Sequence, residues 1–210
     1  AAVSAKAARV NFPAANAQPL RFTHKGPQDQ VAAVIGWPTG GGLAQIGEGR
    51  QLEVLAALFR DRLFEKFRSE QAASYSPDAN AVWPDEFSSG GFLMAYSQVQ
   101  PKDADRFFAF AKSVANDLAA TPVSPDELQR ALAPMLQYVE RATTGNLFWM
   151  NELEGATYNA ARYQALGTLY SDYSKVTPQR LQELARKYLL DAKAWKMVVE
   201  PEAAATARSG

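Results

Sequence analysis

Cysteine is absent from the 210 residues, which excludes a disulfide framework, a thiolate nucleophile and a cysteine-ligated zinc site. Histidine occurs once, as His24. A single imidazole cannot build a histidine-based zinc site, and no Gly-x-Ser-x-Gly elbow accompanies it to present a serine nucleophile. His24 is therefore expected to be a turn or surface residue. Net charge is also missing: lysine plus arginine total 22, as do aspartate plus glutamate. Without a basic run or a basic balance, nucleic acid is excluded as a partner. No apolar run is long enough to cross a bilayer. No charged start followed by an apolar stretch marks a signal peptide. The chain begins at Ala1 and is read as a mature fragment of something longer. Residues 1–18 and 202–210 are expected to be linker or frayed ends around one domain at 19–201.

What is present is the composition of an ordinary globular protein, 47% hydrophobic and 21% charged, with enough length for a sizeable core. A short alternating segment at 20–23 is followed by an apolar, β-branched strand at 30–37, which Pro38 and the following glycines stop. From 48 to 68 the period becomes helical. Leu52, Leu55, Phe59, Leu63 and Phe67 form the apolar stripe, and Arg50, Glu53, Arg60, Asp61 and Lys66 take the other faces. Residues 74–83 and 92–99 read as a hairpin, with Pro77 marking an edge or a bulge.

Pro101 opens a helix that buries Phe107, Ala111, Val114 and Leu118. Ser124, Pro125 and Glu127 make a capping box, with Val123 and Leu128 as its hydrophobic staple and Pro134 predicting a kink further on. One helix is expected over 147–165 and another over 178–190, before a closing strand at 195–199. This order implies an α+β fold: a mostly antiparallel sheet covered on one face by helices.

Three groups of residues could carry chemistry. Gly40-Gly41-Gly42 and Gly47-Glu48-Gly49 lie between a strand and a helix, where phosphate cradles occur. No Gly-Lys-Ser/Thr follows, and Glu48 would repel a phosphate, so a flexible loop is the better reading. Asp85-Glu86 are adjacent in a turn and cannot span a substrate as an acid/base pair. The third group is Arg68 at the end of the long helix with Tyr75 at the start of the next strand. A guanidinium there suits the oxygens of an extended peptide, and a phenol can donate to a forming oxyanion. Residue types alone leave a plainer alternative open, in which Arg68 pairs with Glu65 or a helix-end carbonyl and Tyr75 packs in the sheet.

The segment Phe67-Arg68-Ser69-Glu70-Gln71-Ala72-Ala73-Ser74-Tyr75-Ser76 resembles the corresponding stretch of the pitrilysin/insulinase-type zinc metallopeptidases, the inverted-zincin family M16. In many members a helix ends in Leu-Arg-Glu-x-x-Gly-x-x-Tyr-Ser. Arg68, Gln71, Tyr75 and Ser76 fit that pattern, while Ser69 and Ala72 depart from its glutamate and glycine. Trp37-Pro38-Thr39, Gly90-Gly91-Phe92 and Ser124-Pro125-Asp126-Glu127-Leu128 extend the likeness from about Leu20 to Pro201.

The resemblance implies a metallopeptidase-half domain of the LuxS/MPP-like type. Arg68 and Tyr75 would be its substrate-binding residues, and it would have no catalytic residue and no metal of its own. Zinc would belong to a partner domain bearing His-x-x-Glu-His, in the same chain or a separate subunit, and the substrate would be a peptide or small unfolded protein. The alternative is a structural or assembly domain of the same fold, as in the core subunits of respiratory complexes. Bacterial members suggest a periplasmic location.

Overall fold

The computed structural model describes residues 10–69 and 76–202. Its sheet has five strands: β1 (Leu20–His24), β2 (Val31–Gly40), β3 (Asp78–Val82), β4 (Ser89–Val99) and β5 (Trp195–Pro201). They lie in the order β1-β5-β2-β4-β3, antiparallel throughout except for the parallel pair β1 and β5. The helices are α1 (Ile46–Ser69), α2 (Ala104–Ala120), α3 (Pro125–Ala142), α4 (Asn146–Glu152), α5 (Ala160–Ser174) and α6 (Pro178–Tyr188). The fold is α+β, with the four expected strands in one sheet.

Alternation places Val31, Ala33, Ile35 and Trp37 of β2 beside Leu93, Ala95 and Val99 of β4 on one buried face. Against this face lie α1, α2 and α6. Leu52, Leu55, Phe59, Leu63 and Phe67 are all at most 1% exposed. The Phe59 ring sits 5.6 Å from that of Trp37. Burying one such aromatic side chain stabilises the domain by about 1.5–3 kcal/mol.

A second helical layer, α3 and α5, packs on the far side of α1. This layer corrects one expectation. Arg50 lies off the apolar stripe, where a charged residue is ordinarily solvated, but α5 covers it and only 8% of it is exposed. Its guanidinium donates to the Ala165 carbonyl at 2.8 Å and to Asp172 at 2.7 Å.

Two expected elements also differ. The helix expected over 147–165 is two helices, α4 and α5, separated by a turn in which Gly155 adopts φ 78°. The Asn159 side chain caps α5 by accepting from the Ala161 amide, so the break has its own local signals. The strand expected from 74 begins at Asp78, after Pro77 rather than through it, and lies at the sheet edge. On β5, Trp195, Met197 and Val199 take the outer face, and Val198 faces the core with Lys196. The segment before β1 is held to that outer face. Phe12 packs near Phe92 and Trp195, and Asn16 bonds the Lys196 backbone in both directions, at 2.8 and 2.7 Å.

Candidate functional site

The last turn of α1 is anchored by Phe67, whose ring meets Phe110 edge-on at 5.0 Å. Successive helical residues point about 100° apart, so burying Phe67 turns Arg68 outward to solvent. Lys66 and Arg68 lie in that last turn, where cations complement the helix dipole. Arg68 forms no ion pair with Glu65 or with any other described residue. The helix-end pairing is therefore not what holds it. Tyr75, the second expected site residue, lies outside the described residues.

Arg68 lines a groove of about 590 Å³ between the end of α1 and the start of α3. Pro77, just beyond the undescribed stretch, lines the same groove, as do Arg60, Glu65, Ser124 and Arg130. The two walls are bolted together by Arg62 and Glu127, whose two hydrogen bonds measure 2.6 and 3.0 Å. Hydrogen bonding to Glu127 raises Arg62 above its ordinary value. The Arg62 guanidinium, against the effect of burial, holds the Glu127 carboxyl below its own. The Ser124 hydroxyl accepts from the Glu127 amide at 3.1 Å, and the Ser124 amide in turn favours the Glu127 carboxylate. The capping box thus both starts α3 and fixes one wall of the groove. Of the groove's arginines, Arg60 pairs with Asp61 and Arg130 with Asp126. Arg68 is the exposed cation left available to an incoming acceptor.

The glycine-rich segments have a packing explanation. A Cβ on Gly49 would lie 2.4 Å from Trp83, and one on Gly40 would lie 2.5 Å from it. The Trp83 indole donates to the Gly42 carbonyl at 3.0 Å. The Gly42 amide is committed to the Pro84 carbonyl at 2.7 Å, so it cannot cradle an anion. Glu48 is held by Arg180, Lys187 and Tyr188. Burial would raise its carboxyl, but those hydrogen bonds outweigh burial and lower it. Asp85 faces Arg162 at 3.8 Å, an ion pair rather than an acid/base couple. His24 is a turn residue: its Nδ1 accepts from the Gly26 amide at 2.9 Å, leaving Nε2–H for the Gln30 carbonyl at 2.9 Å.

Sequence reasoning missed a second cavity, between α1, α3, α4 and α5, with Glu53 and Tyr173 hydrogen-bonded inside it. Burial pushes the Glu53 carboxyl up, partly offset by the Tyr173 hydroxyl and the nearby Arg50 charge. Burial, then the Glu53 charge, pushes the Tyr173 phenol up. The only sequence signal for Glu53 was an acidic residue beside the apolar stripe, which usually means a solvated face.

Among the described residues, no group of three or more histidine, cysteine, aspartate and glutamate side chains converges as metal ligands would. With one histidine and no cysteine, the donor set does not fit a zinc centre of the catalytic kind. No helix among the described residues is long and apolar enough to cross a membrane.

A family model described as the peptidase M16 inactive domain matches residues 4–135. The chain belongs to the peptidase M16 inactive domain family. No curated protein sequence matches it. Solved structures share its fold at low identity. A conserved protein from Enterococcus faecalis V583 matches at TM-score 0.71 and 15% identity, over 91% of this chain and 44% of that one. The periplasmic protease PqqL from Escherichia coli matches at TM-score 0.68 and 14% identity, over 89% of this chain and 21% of that one. A chain of complex III2 from Candida albicans, with Inz-5 bound, matches at TM-score 0.68 and 15% identity, over 87% and 45%. The M16 inactive domain thus spans less than half the length of each of these proteins.

Proposed function

We propose that this M16 inactive domain is the substrate-holding, chamber-forming part of a zinc metalloendopeptidase, with Arg68 and Tyr75 gripping the peptide backbone. The observation that carries the reading is Arg68. It is exposed at the end of a rigid, buried helix, opens on a groove of about 590 Å³, and has no ion-pair partner among the described residues. A planar guanidinium so placed can bond two carbonyl oxygens of an extended chain. Zinc and the general base would come from a partner domain bearing His-x-x-Glu-His, in the same polypeptide or another subunit. This chain would contribute positioning and oxyanion stabilisation. The likeness to PqqL, a periplasmic protease, supports a periplasmic location.

The test is peptide turnover by the complete assembly carrying Arg68→Ala or Tyr75→Phe. Loss of one donor to a developing oxyanion lowers the rate by about 10²–10³. The isolated domain should keep its thermal stability in both variants. Unchanged turnover with a large loss of stability would make the two residues packing elements and the domain a scaffold. Scaffolding is the role that the shared fold of the complex III chain leaves as the alternative.

A further inference from the structure

The cavity enclosed by α1, α3, α4 and α5 has a volume of about 430 Å³, within the range of small-molecule and side-chain pockets. It adjoins the Arg68 groove at Arg60 and Arg130 but shares none of its other lining residues, and it does not depend on the reading of that groove. Its walls are apolar: Ala57, Ala131, Met135, Phe148 and Leu169 line it, with Pro134. Well-formed apolar walls around a few polar groups are the ordinary architecture of a binding site. The polar groups decide what fits.

The cationic groups at the cavity are already committed. Arg60 donates twice to Asp61, at 3.1 Å each, and Arg130 pairs with Asp126 one helical turn away. Arg50, whose charge reaches Glu53, gives its guanidinium to Asp172, Thr168 and the Ala165 carbonyl. Apart from the Tyr138 hydroxyl at the mouth, what remains open is acceptor in character. Glu152 lines the cavity without an ion pair among the described residues. Glu53 receives the Tyr173 hydroxyl on one oxygen only. Two carboxylates therefore line a partly open, mostly apolar space. Burial disfavours the charge on Glu53, and a cation delivered into the cavity would relieve that cost.

We propose that this cavity binds a primary amine or guanidinium carried on an apolar stem. The stem would fill the space between the four helices and the cationic head would bond Glu53. A free aralkylamine and a basic side chain of a bound peptide both present this chemistry.

The experiment is calorimetric titration of the full chain with phenylbutylamine, and with the neutral alcohol and the carboxylate of the same stem, near neutral pH. The amine should bind saturably and about tenfold more tightly than the alcohol, because the hydrogen bond to Glu53 is charge-assisted. The carboxylate should be weakest. Glu53→Gln keeps an acceptor for Tyr173 and should bring the amine down to the level of the alcohol. Glu152→Gln, at a partly exposed position, should weaken amine binding by about threefold without touching the core. Arg68→Ala should leave the titration unchanged, separating this site from the groove. Displacement of the amine by a short lysine-containing peptide would identify a side chain as the occupant, and its failure a free amine. Equal binding of amine and alcohol, preference for the carboxylate, or no saturable binding by any of the three would overturn the proposal.

Discussion

The two ends of α1 use the same kinds of residue in opposite ways. At its start, Glu48, Arg50 and Glu53 are enclosed by α5 and α6. Each polar side chain there is tied to a named partner, such as Arg180, Asp172 or Tyr173. At its end, Arg60, Arg62 and Arg68 border an open groove, and only Arg62 is used to join elements. A buried charge must be paired, because losing its partner leaves a desolvated ion, whereas a charge at a groove can be left free at little cost. The enclosed end is thus specialised for holding the layers together. The open end keeps Arg68 exposed, with no ion pair to a described residue.

The contrast can be broken most directly at Arg50. Arg50→Ala strands Asp172 and the Ala165 carbonyl under α5 and should cost about 3–5 kcal/mol in denaturant unfolding. A loss below about 1 kcal/mol would put the two ends on the same footing. Next in size is Gly49→Ala. Its Cβ would meet the Trp83 ring at 2.4 Å, so the indole must move, at a cost of about 1–3 kcal/mol. A glycine kept for flexibility alone would instead be stabilised by alanine within a helix. Ser124→Ala removes the cap of α3 and should cost about 1 kcal/mol, visible as a lowered Tm.

The pH dependence sharpens the comparison further. Glu48 and Glu127 both sit below the ordinary carboxyl value of 4.5. Their contribution is present above that value and is lost as pH falls through their lowered ones. Glu53 is shifted upward and behaves in the opposite sense, its contribution fading as pH rises through its raised value. Glu127→Gln should therefore flatten the acid limb of a stability-versus-pH curve, and Glu53→Gln should flatten the limb just above it. Acid limbs of equal slope in wild type and Glu127→Gln would remove the Arg62 clamp from the account. The smallest effect belongs to Arg68. Arg68→Ala should change stability by less than about 0.5 kcal/mol, and a larger loss would make the open end structural like the other.

Much of the fold was legible because its signals act over a few residues. The stripe from Leu52 to Phe67, the alternation of β2 and the cap at Ser124 each depend on neighbours within a turn or a strand. The inert role of His24 was legible for the same reason, since its partners Gly26 and Gln30 are close in sequence. The break between α4 and α5 was also written locally, in Gly155 and the Asn159 cap, but the apolar residues running across it masked the signal. The Arg68 position came from the residues at the end of α1. The groove it opens on needed Ser124 and Arg130, more than fifty residues away.

By itself the sequence determined most of the elements, their order and the apolar stripes of α1, α2 and α3. These follow from local propensity, periodicity and capping, which require no knowledge of the distant chain. It also determined that the chain cannot supply a histidine- or cysteine-based zinc site, since one histidine and no cysteine are present. Only the tertiary structure decided that α1 is covered on both sides. That arrangement buries Arg50, desolvates Glu53 and encloses a cavity beside it. A helix that meets one layer and a helix that meets two can carry the same local pattern. What separates them is long-range packing, which no window of a few residues contains.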